Sequence, residues 1–365
     1  MQEVAWSPRF REGGDMSIGT RARFPFAVLL VLTLALGACA SPSSTAPPPT
    51  TSPTAEPDAT ATPAARVDVT IGNASQPAVA TGAFSAAMQA QGDSNVVATQ
   101  EFFQQSELAA QALLQDDIEV LHIGVLTPIN AILGGADLVI FAVDVGNDWV
   151  LVAENEIATP QDLAGKNVGI HSETSTATAM LAKTYQDNGI DPGTINTLIV
   201  PGSANRAQAI LQGQLDATPL LLQDVGTILE EAPGKFHVLV DWADIPLASG
   251  VLAAKRDWYE ANLDAATELV RRMIATNTAW KADPSLATDF LVEQFPDSSR
   301  DYLASTAEEY LSRGLWPTDG GAAFLGDEFV AAIELLKSTG SIPADASDDP
   351  STYVDLRAMD AALQR

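Results

Sequence analysis

The chain has 365 residues, 46% of them hydrophobic and 18% charged, enough for two lobes with a real core. Its mean hydropathy of only +0.08 excludes a polytopic membrane protein. Nineteen basic residues stand against 47 acidic ones, and a net charge of −28 repels phosphate backbones, so no nucleic-acid partner is expected. A single cysteine forbids an internal disulfide and any Cys-rich zinc or iron–sulfur site, and three histidines leave little from which to build a metal or catalytic centre. No cofactor is expected.

From Phe26 to Leu36 the chain reads FAVLLVLTLAL behind Arg21 and Arg23. That run is too short for a hydrocarbon layer of about 30 Å, which takes about 20 residues, and it has the length and basic flank of a signal-peptide core. It ends in Leu36-Gly37-Ala38-Cys39, which resembles the bacterial lipobox. Residues 1–39 therefore read as a lipoprotein signal peptide ending at a lipidated Cys39. Residues 1–15 have no targeting character, so Met1 and Met16 both stay open as the start. Residues 40–65 are almost entirely Pro, Ser, Thr and Ala. No apolar face can be built from these, so they read as a disordered tether, reaching up to roughly 80 Å if polyproline-like. The expected location is the extracytoplasmic face of the membrane, held by a lipid, and periplasmic if an outer membrane is present.

From Arg66 onward, short β-branched runs alternate with amphipathic stretches. Strands are predicted over 67–71, 95–99, 118–123 and 138–143, with helices over 83–90 and 106–114 and a helical turn over 128–133. After Asp148 a second series follows: strands at WVLVAEN, NVGIHS, TLIV, ATPLL and FHVLVDW, and helices over 174–188, 204–212 and 222–231. Past Asp241 one more strand, VLAAKRD, leads into helices over 263–281, 286–295, 298–313 and 324–338, and 353–363 forms a terminal helix. Alternation of this kind predicts an α/β fold of two lobes, with mixed and mostly parallel sheets. The helical tail must bury its apolar face on the first lobe. The chain then crosses twice, which assigns 66–147 plus 250–365 to lobe 1 and 148–249 to lobe 2, with a cleft between them.

Three stretches carry a family resemblance. They are VLVAENEIATPQDLAGKNVGI (150–170), GIDPGTINTLIVPGSANRAQAILQGQLDATPLLL (189–222) and VLAAKRDWYEANLDAATELVRRMIATNTAWKADP (251–284). In order and spacing they resemble the substrate-binding proteins of ABC importers, in the sulfonate, nitrate, taurine and thiamine-precursor (SsuA/THI5-like, NMT1-type) group. The resemblance implies a two-lobed periplasmic-binding-protein fold of type II and a monomer that captures a small solute by hinge closure. It further implies that the protein presents this solute to an ABC permease driven by a cytoplasmic ATPase. The family's Gly-Ser loop is replaced by Gln104-Gln105-Ser106, so the resemblance does not carry ligand identity. Sulfonate, nitrate, taurine and pyrimidine-like solutes all stay open.

Ligands of open α/β sheets bind outside the carboxyl ends of the strands. The segment His171-Ser172-Glu173-Thr174-Ser175-Thr176 follows the NVGI strand and opens a helix, where free amides and hydroxyls form a polar cradle. Ser172, Thr174, Ser175 and Thr176 are therefore candidate contacts. Facing them, Asn73, Ser75, Gln76, Gln100 and Thr127 lie at strand ends of the first lobe. Arg206 near a strand end and Trp242 after FHVLVD are further candidates, whereas Trp149 is expected to pack in the hinge. Gly165 after Asp162-Leu163-Ala164 reads as a helix stop, and Asp216 as a local cap at a strand entrance. His122 reads as a core residue. His171 and Ser172 are neighbours on an extended segment and point to opposite faces, and no HExxH, GxSxG or GxGxxG motif is present. An enzyme is not expected, and no catalytic or metal-binding residue is assigned. Two alternatives use the same fold: a membrane-tethered ligand sensor or scaffold, and a THI5-like pyrimidine-biosynthesis enzyme.

Overall fold

A computed structural model describes residues 65–364 apart from Ser75. The signal peptide, Cys39, the tether up to residue 64 and the candidate Ser75 lie outside the described residues.

The first half of the body alternates β1 (Val67–Asn73), α1 (Gly82–Gln89), β2 (Val96–Phe102), α2 (Ser106–Leu114), β3 (Val120–Ile123), α3 (Leu126–Leu133) and β4 (Leu138–Val145). The second series is β5 (Trp149–Glu154), β6 (Asn167–Ile170), α4 (Thr176–Asp187), β7 (Asn196–Ile199), α5 (Ser203–Leu211), β8 (Ala217–Leu221), α6 (Leu222–Glu231) and β9 (Phe236–Asp241). Then come β10 (Gly250–Lys255) and the helices α7 (Arg256–Ala261), α8 (Leu263–Ala282), α9 (Pro284–Gln294), α10 (Arg300–Ser312), α11 (Phe329–Ser338) and α12 (Arg357–Leu363).

Two five-stranded sheets result, with orders β2-β1-β3-β10-β4 and β7-β6-β8-β5-β9. Both are mixed. In the first, β1 runs parallel to β2 and β3, while β10 runs antiparallel to β3 and β4. In the second, β5 is antiparallel to β8 and β9, and β6 is parallel to β7 and β8. The antiparallel members are the strands next to the crossings: β5 receives the chain from the first sheet, and β10 brings it back. The periplasmic-binding-protein architecture expected from the sequence is the observed one, with more antiparallel pairing than the βα alternation alone predicts.

Continuous apolar sequence explains the buried strands. Every residue of β4 (LVIFAVDV) is buried, as expected for a strand covered on both faces. The exception in its chemistry is Asp144. The helical tail returns to this strand: Ile140 N–H donates to Tyr353 O at 2.8 Å and Asp355 N–H donates to Ile140 O at 3.0 Å. Gly165 takes φ +76°, and Asp216 Oδ2 accepts the Asn167 amide at 2.7 Å, so both residues play the local structural parts that their sequence positions predict.

Candidate functional site

The carboxyl ends of strands from both sheets meet the two crossings around a cavity of about 150 Å³. From the first sheet's side come Ala74, Ser106, His122, Gly124 and Thr127. From the second come His171, Ser172, Ser175, Thr176 and Ser203, and the crossings add Asp148, Trp149 and Ser249. Among the described residues the wall contains no lysine or arginine.

The start of α4 is the polar corner of this cavity. Ser175 is its N-cap and accepts the Thr178 amide at 3.3 Å, which is why the helix begins two residues later than its sequence pattern predicts. The Thr176 and Ala177 amides, in the first turn, have no carbonyl behind them and carry the positive end of the helix dipole. Thr176 is buried and its Oγ1 accepts the Leu126 amide at 3.4 Å, tying α4 beside the second sheet to the start of α3 beside the first. A second tie is His171. Its Nδ1 accepts the Gly202 amide at 3.0 Å, so the ring proton sits on Nε2, which faces Ser106 Oγ at 3.5 Å. Burial and the nearby Arg206 hold the His171 pKa below its usual value, with Glu107 opposing them, so the ring is neutral at neutral pH.

Beneath the cavity, on the first sheet, Asn73 Nδ2 donates to Ile71 O and Glu101 O. Its Oδ1 is therefore the acceptor for His122 Nδ1–H, at 2.8 Å. The other ring nitrogen lies 2.7 Å from Asp144 Oδ2, a close contact not aligned as a directed hydrogen bond, and Phe84 stacks on the ring at 4.3 Å. Gly250 makes room for this carboxylate: a Cβ there would stand 2.0 Å from Asp144 Oδ1.

At the crossing, Asp148 is 3% exposed. Its Oδ2 accepts the Tyr310 hydroxyl of α10 at 2.6 Å, and its amide donates to Ser249 Oγ at 3.3 Å. Oδ1 is buried and has no partner at directed hydrogen-bond geometry, with the Ser249 hydroxyl beside the carboxylate. Burial lifts the Asp148 pKa to about 6, against the pull of the Ser249 and Tyr310 hydroxyls and its own amide; Asp144 adds a small push upward. Trp149 follows, its Nε1 also buried and unpartnered. The Arg206 guanidinium sits 5.6 Å from the Trp149 ring centroid, a cation–π distance.

The sequence-derived candidates divide accordingly. Thr127, Ser172, Ser175 and Thr176 line the cavity. Asn73 lies one layer below it, holding His122. Thr174 and Gln76 are exposed and Gln100 is half-buried, and none of the three reaches the wall. Arg206 is fully buried rather than paired at the surface. It donates to Pro219 O and Val200 O and backs Trp149 from outside the wall, and burial brings its pKa down to about 10. The two tryptophans exchange their expected parts. Trp242 is a core residue whose Nε1 donates to Thr184 Oγ1 at 2.9 Å, because Thr184 on α4 offers a buried acceptor there. Trp149, expected to pack in the hinge, lines the cavity. Ser106, His122, Asp148, Ser203 and Ser249 complete the wall without having been singled out as ligand contacts. Their common signal is position, at strand ends and crossings.

Residues 144–285 match the family model described as NMT1/THI5 like. No curated protein sequence matches the chain. Among solved structures, the fold is similar to the alkanesulfonate-binding protein SsuA from Xanthomonas axonopodis pv. citri, with a TM-score of 0.62 and 18% identity over 77% of this chain and 96% of that one. It is similar to the ligand-binding component of an ABC-type import system from Staphylococcus aureus, with a TM-score of 0.63 and 14% identity over 82% and 99% of the two chains. It is also similar to the periplasmic nitrate-binding protein NrtA from Synechocystis PCC 6803, with a TM-score of 0.64 and 12% identity over 81% and 88%.

Proposed function

Starting from a chain that matches the NMT1/THI5-like model across its second sheet and both crossings, we propose that this protein is the solute-binding lipoprotein of an ABC importer. The reading takes 66–147 with 250–365 as one lobe and 148–249 as the other. The two lobes swing on the crossings at Val145–Trp149 and Trp242–Gly250 and bury a small solute between them. The lipid on Cys39 and the 40–65 tether keep the monomeric body on the extracytoplasmic face, beside a permease coupled to a cytoplasmic ATPase. The proteins it resembles bind solutes, and its own site holds hydroxyls, amides, the Asp148 carboxylate and a His171 ring whose protonated Nε2 faces Ser106 and so is not a base for that hydroxyl. Capture is therefore the activity assigned, and catalysis is not.

The observation that carries this reading is the cavity itself, walled from both sheets and both crossings, with Thr176 and His171 bonded across it. A thermal-shift screen of sulfonates, nitrate, taurine and pyrimidines on the protein tests it. A solute that raises the melting temperature should lose at least about fivefold in affinity when Ser172 and Ser175 are both changed to Ala, since one hydrogen bond or more of about 1 kcal/mol is removed. Affinity unchanged by that double substitution would take the cavity off the map as the capture site.

A further inference from the structure

The cavity wall is chemically lopsided in a way that an oxyanion receptor does not require. One end is the α4 amino terminus, with the Thr176 and Ala177 amides and the Ser172 hydroxyl suited to an acceptor, while the Ser175 hydroxyl donates to Thr178 Oγ1 and helps to fix the turn. The other end is Asp148, nine-tenths buried and more, whose Oδ1 has no partner at directed hydrogen-bond geometry while Tyr310 holds Oδ2. Neither oxygen of a buried carboxylate is normally left in that condition. No lysine or arginine lines the cavity to offset this charge; Arg206, behind Trp149, donates Nε to Pro219 O and Nη1 to Val200 O, and its Nη2 is buried without a partner outside the wall.

We propose that the cleft selects a small solute whose nitrogen, cationic or N–H-bearing, docks on Asp148 beside the Trp149 ring while an acceptor group at its other end meets the α4 amino terminus. This inference rests on the capture reading and narrows it to one ligand chemistry. Bare oxyanions such as nitrate or a simple alkanesulfonate satisfy the α4 end only, and they leave the buried Asp148 Oδ1 without a donor. A net charge of −28 acts in the same direction, concentrating cations and depleting anions near the mouth. Trp149 adds a flat apolar wall whose far support is Arg206, and a cavity of about 150 Å³ restricts the ligand to a few heavy atoms.

Matched pairs that differ by one amino group provide the test: 2-aminoethanesulfonate against ethanesulfonate, and 4-aminopyrimidine against pyrimidine, with nitrate alongside. Each is titrated calorimetrically into the full chain and into Asp148→Asn and Trp149→Phe variants. The amino member of at least one pair should bind tenfold or more tightly than its partner. Asp148→Asn should erase that preference by weakening the amino member while ethanesulfonate and nitrate bind as well as before or better, and the indole fluorescence change on binding should vanish in Trp149→Phe. If ethanesulfonate, pyrimidine or nitrate binds as well as the amines and Trp149 still responds, the nitrogen requirement is overturned and the capture site stands. If amines bind but neither substitution alters affinity or emission, the ligand sits elsewhere and the cleft reading itself falls. Failure of all five probes to bind overturns the nitrogen requirement, since both frames present the group that Asp148 is proposed to receive. The comparison within the unmodified protein decides the matter even if a variant fails to fold.

Discussion

Asp148 is the residue with the clearest thermodynamic signature. Its pKa rises from 3.8 to about 6 in the fold, so between those values the native state holds more protons than the unfolded chain. Stability from this group is complete below about pH 4 and is lost as pH rises through 6, at roughly 1.4 kcal/mol per pH unit. The ionised form therefore costs about 3 kcal/mol at pH 7. Replacing it with Asn, which never ionises, should leave the two proteins similar near pH 4 and make the variant more stable by up to about 3 kcal/mol near pH 8. Denaturant unfolding at the two pH values measures that difference, and a constant difference would mean that Asp148 stays solvated. His171 works in the opposite sense: its lowered pKa adds stability above about 6.5 that is lost as pH falls below it. Comparing wild type with Asp148→Asn at each pH cancels that contribution. Gly250 is a second exacting position, because a methyl there meets the Asp144 carboxylate. Gly250→Ala should cost about 2 kcal/mol or more by pushing Asp144 off His122, read as a lower melting temperature. Neither residue stands out in the sequence. Asp148 is one of 47 acidic residues and Gly250 one of 25 glycines, and only the packing around each makes it special.

Elements were far more legible than side chains. β-branched runs bounded by polar turns located every strand of both sheets, and the α4 start was displaced by only two residues because Ser175 caps instead of joining the helix. What periodicity cannot supply is which face of an element meets which neighbour. Trp242 ends a strand and looked available for stacking, yet α4 places Thr184 where the indole must go. Trp149 begins a strand and is its one residue in the cavity wall, Leu151 and Ala153 on the same face being core. This exchange has a measurable consequence. Trp242→Phe removes one buried hydrogen bond and some packing, so it should lower stability by about 1–2 kcal/mol and leave affinity for any captured solute within about twofold. Trp149→Phe keeps most of the apolar wall but loses the indole N–H, so the effect should fall on affinity and spare the melting temperature. The reverse pattern, with Trp242 controlling binding and Trp149 stability, would return the two residues to the parts that their sequence positions imply.

At the scale of the whole molecule, the question is what holds the two sheets at their present separation. Side-chain bonds span them at several points. Thr176 and His171 cross at the cavity, Gln223 Oε1 accepts the Ala80 amide at 2.7 Å, the Tyr302 hydroxyl donates to Gln223 O at 2.5 Å, and Arg313 pairs with Asp241 at 2.9 Å. Tyr302 and Arg313 belong to the α10 region of the tail, as does Tyr310 on Asp148, so α10 grips the second sheet next to the crossings. These are polar and individually modest contacts, about 0.5–1.5 kcal/mol each for neutral hydrogen bonds. Apolar packing runs beside them, since one buried cluster holds Val69, Ile140 and Leu252 of the first sheet with Leu151, Val168 and Ala217 of the second, so opening must also part apolar surface. The two-crossing topology was foreseeable from the order of strands and helices, but the grip of α10 was not, because its residues meet Gln223 and Asp148 from more than 70 positions away. If opening and closure govern capture, a bound solute should shrink the radius of gyration in small-angle scattering. Changing Tyr302 and Tyr310 together to Phe should enlarge the radius of the solute-free protein and weaken capture several-fold, since closure must then supply what those hydroxyls supplied. Tyr302 and Tyr310 do not line the cavity, so weaker affinity without a change in the scattering curve would locate their effect in local packing and remove the hinge from the mechanism.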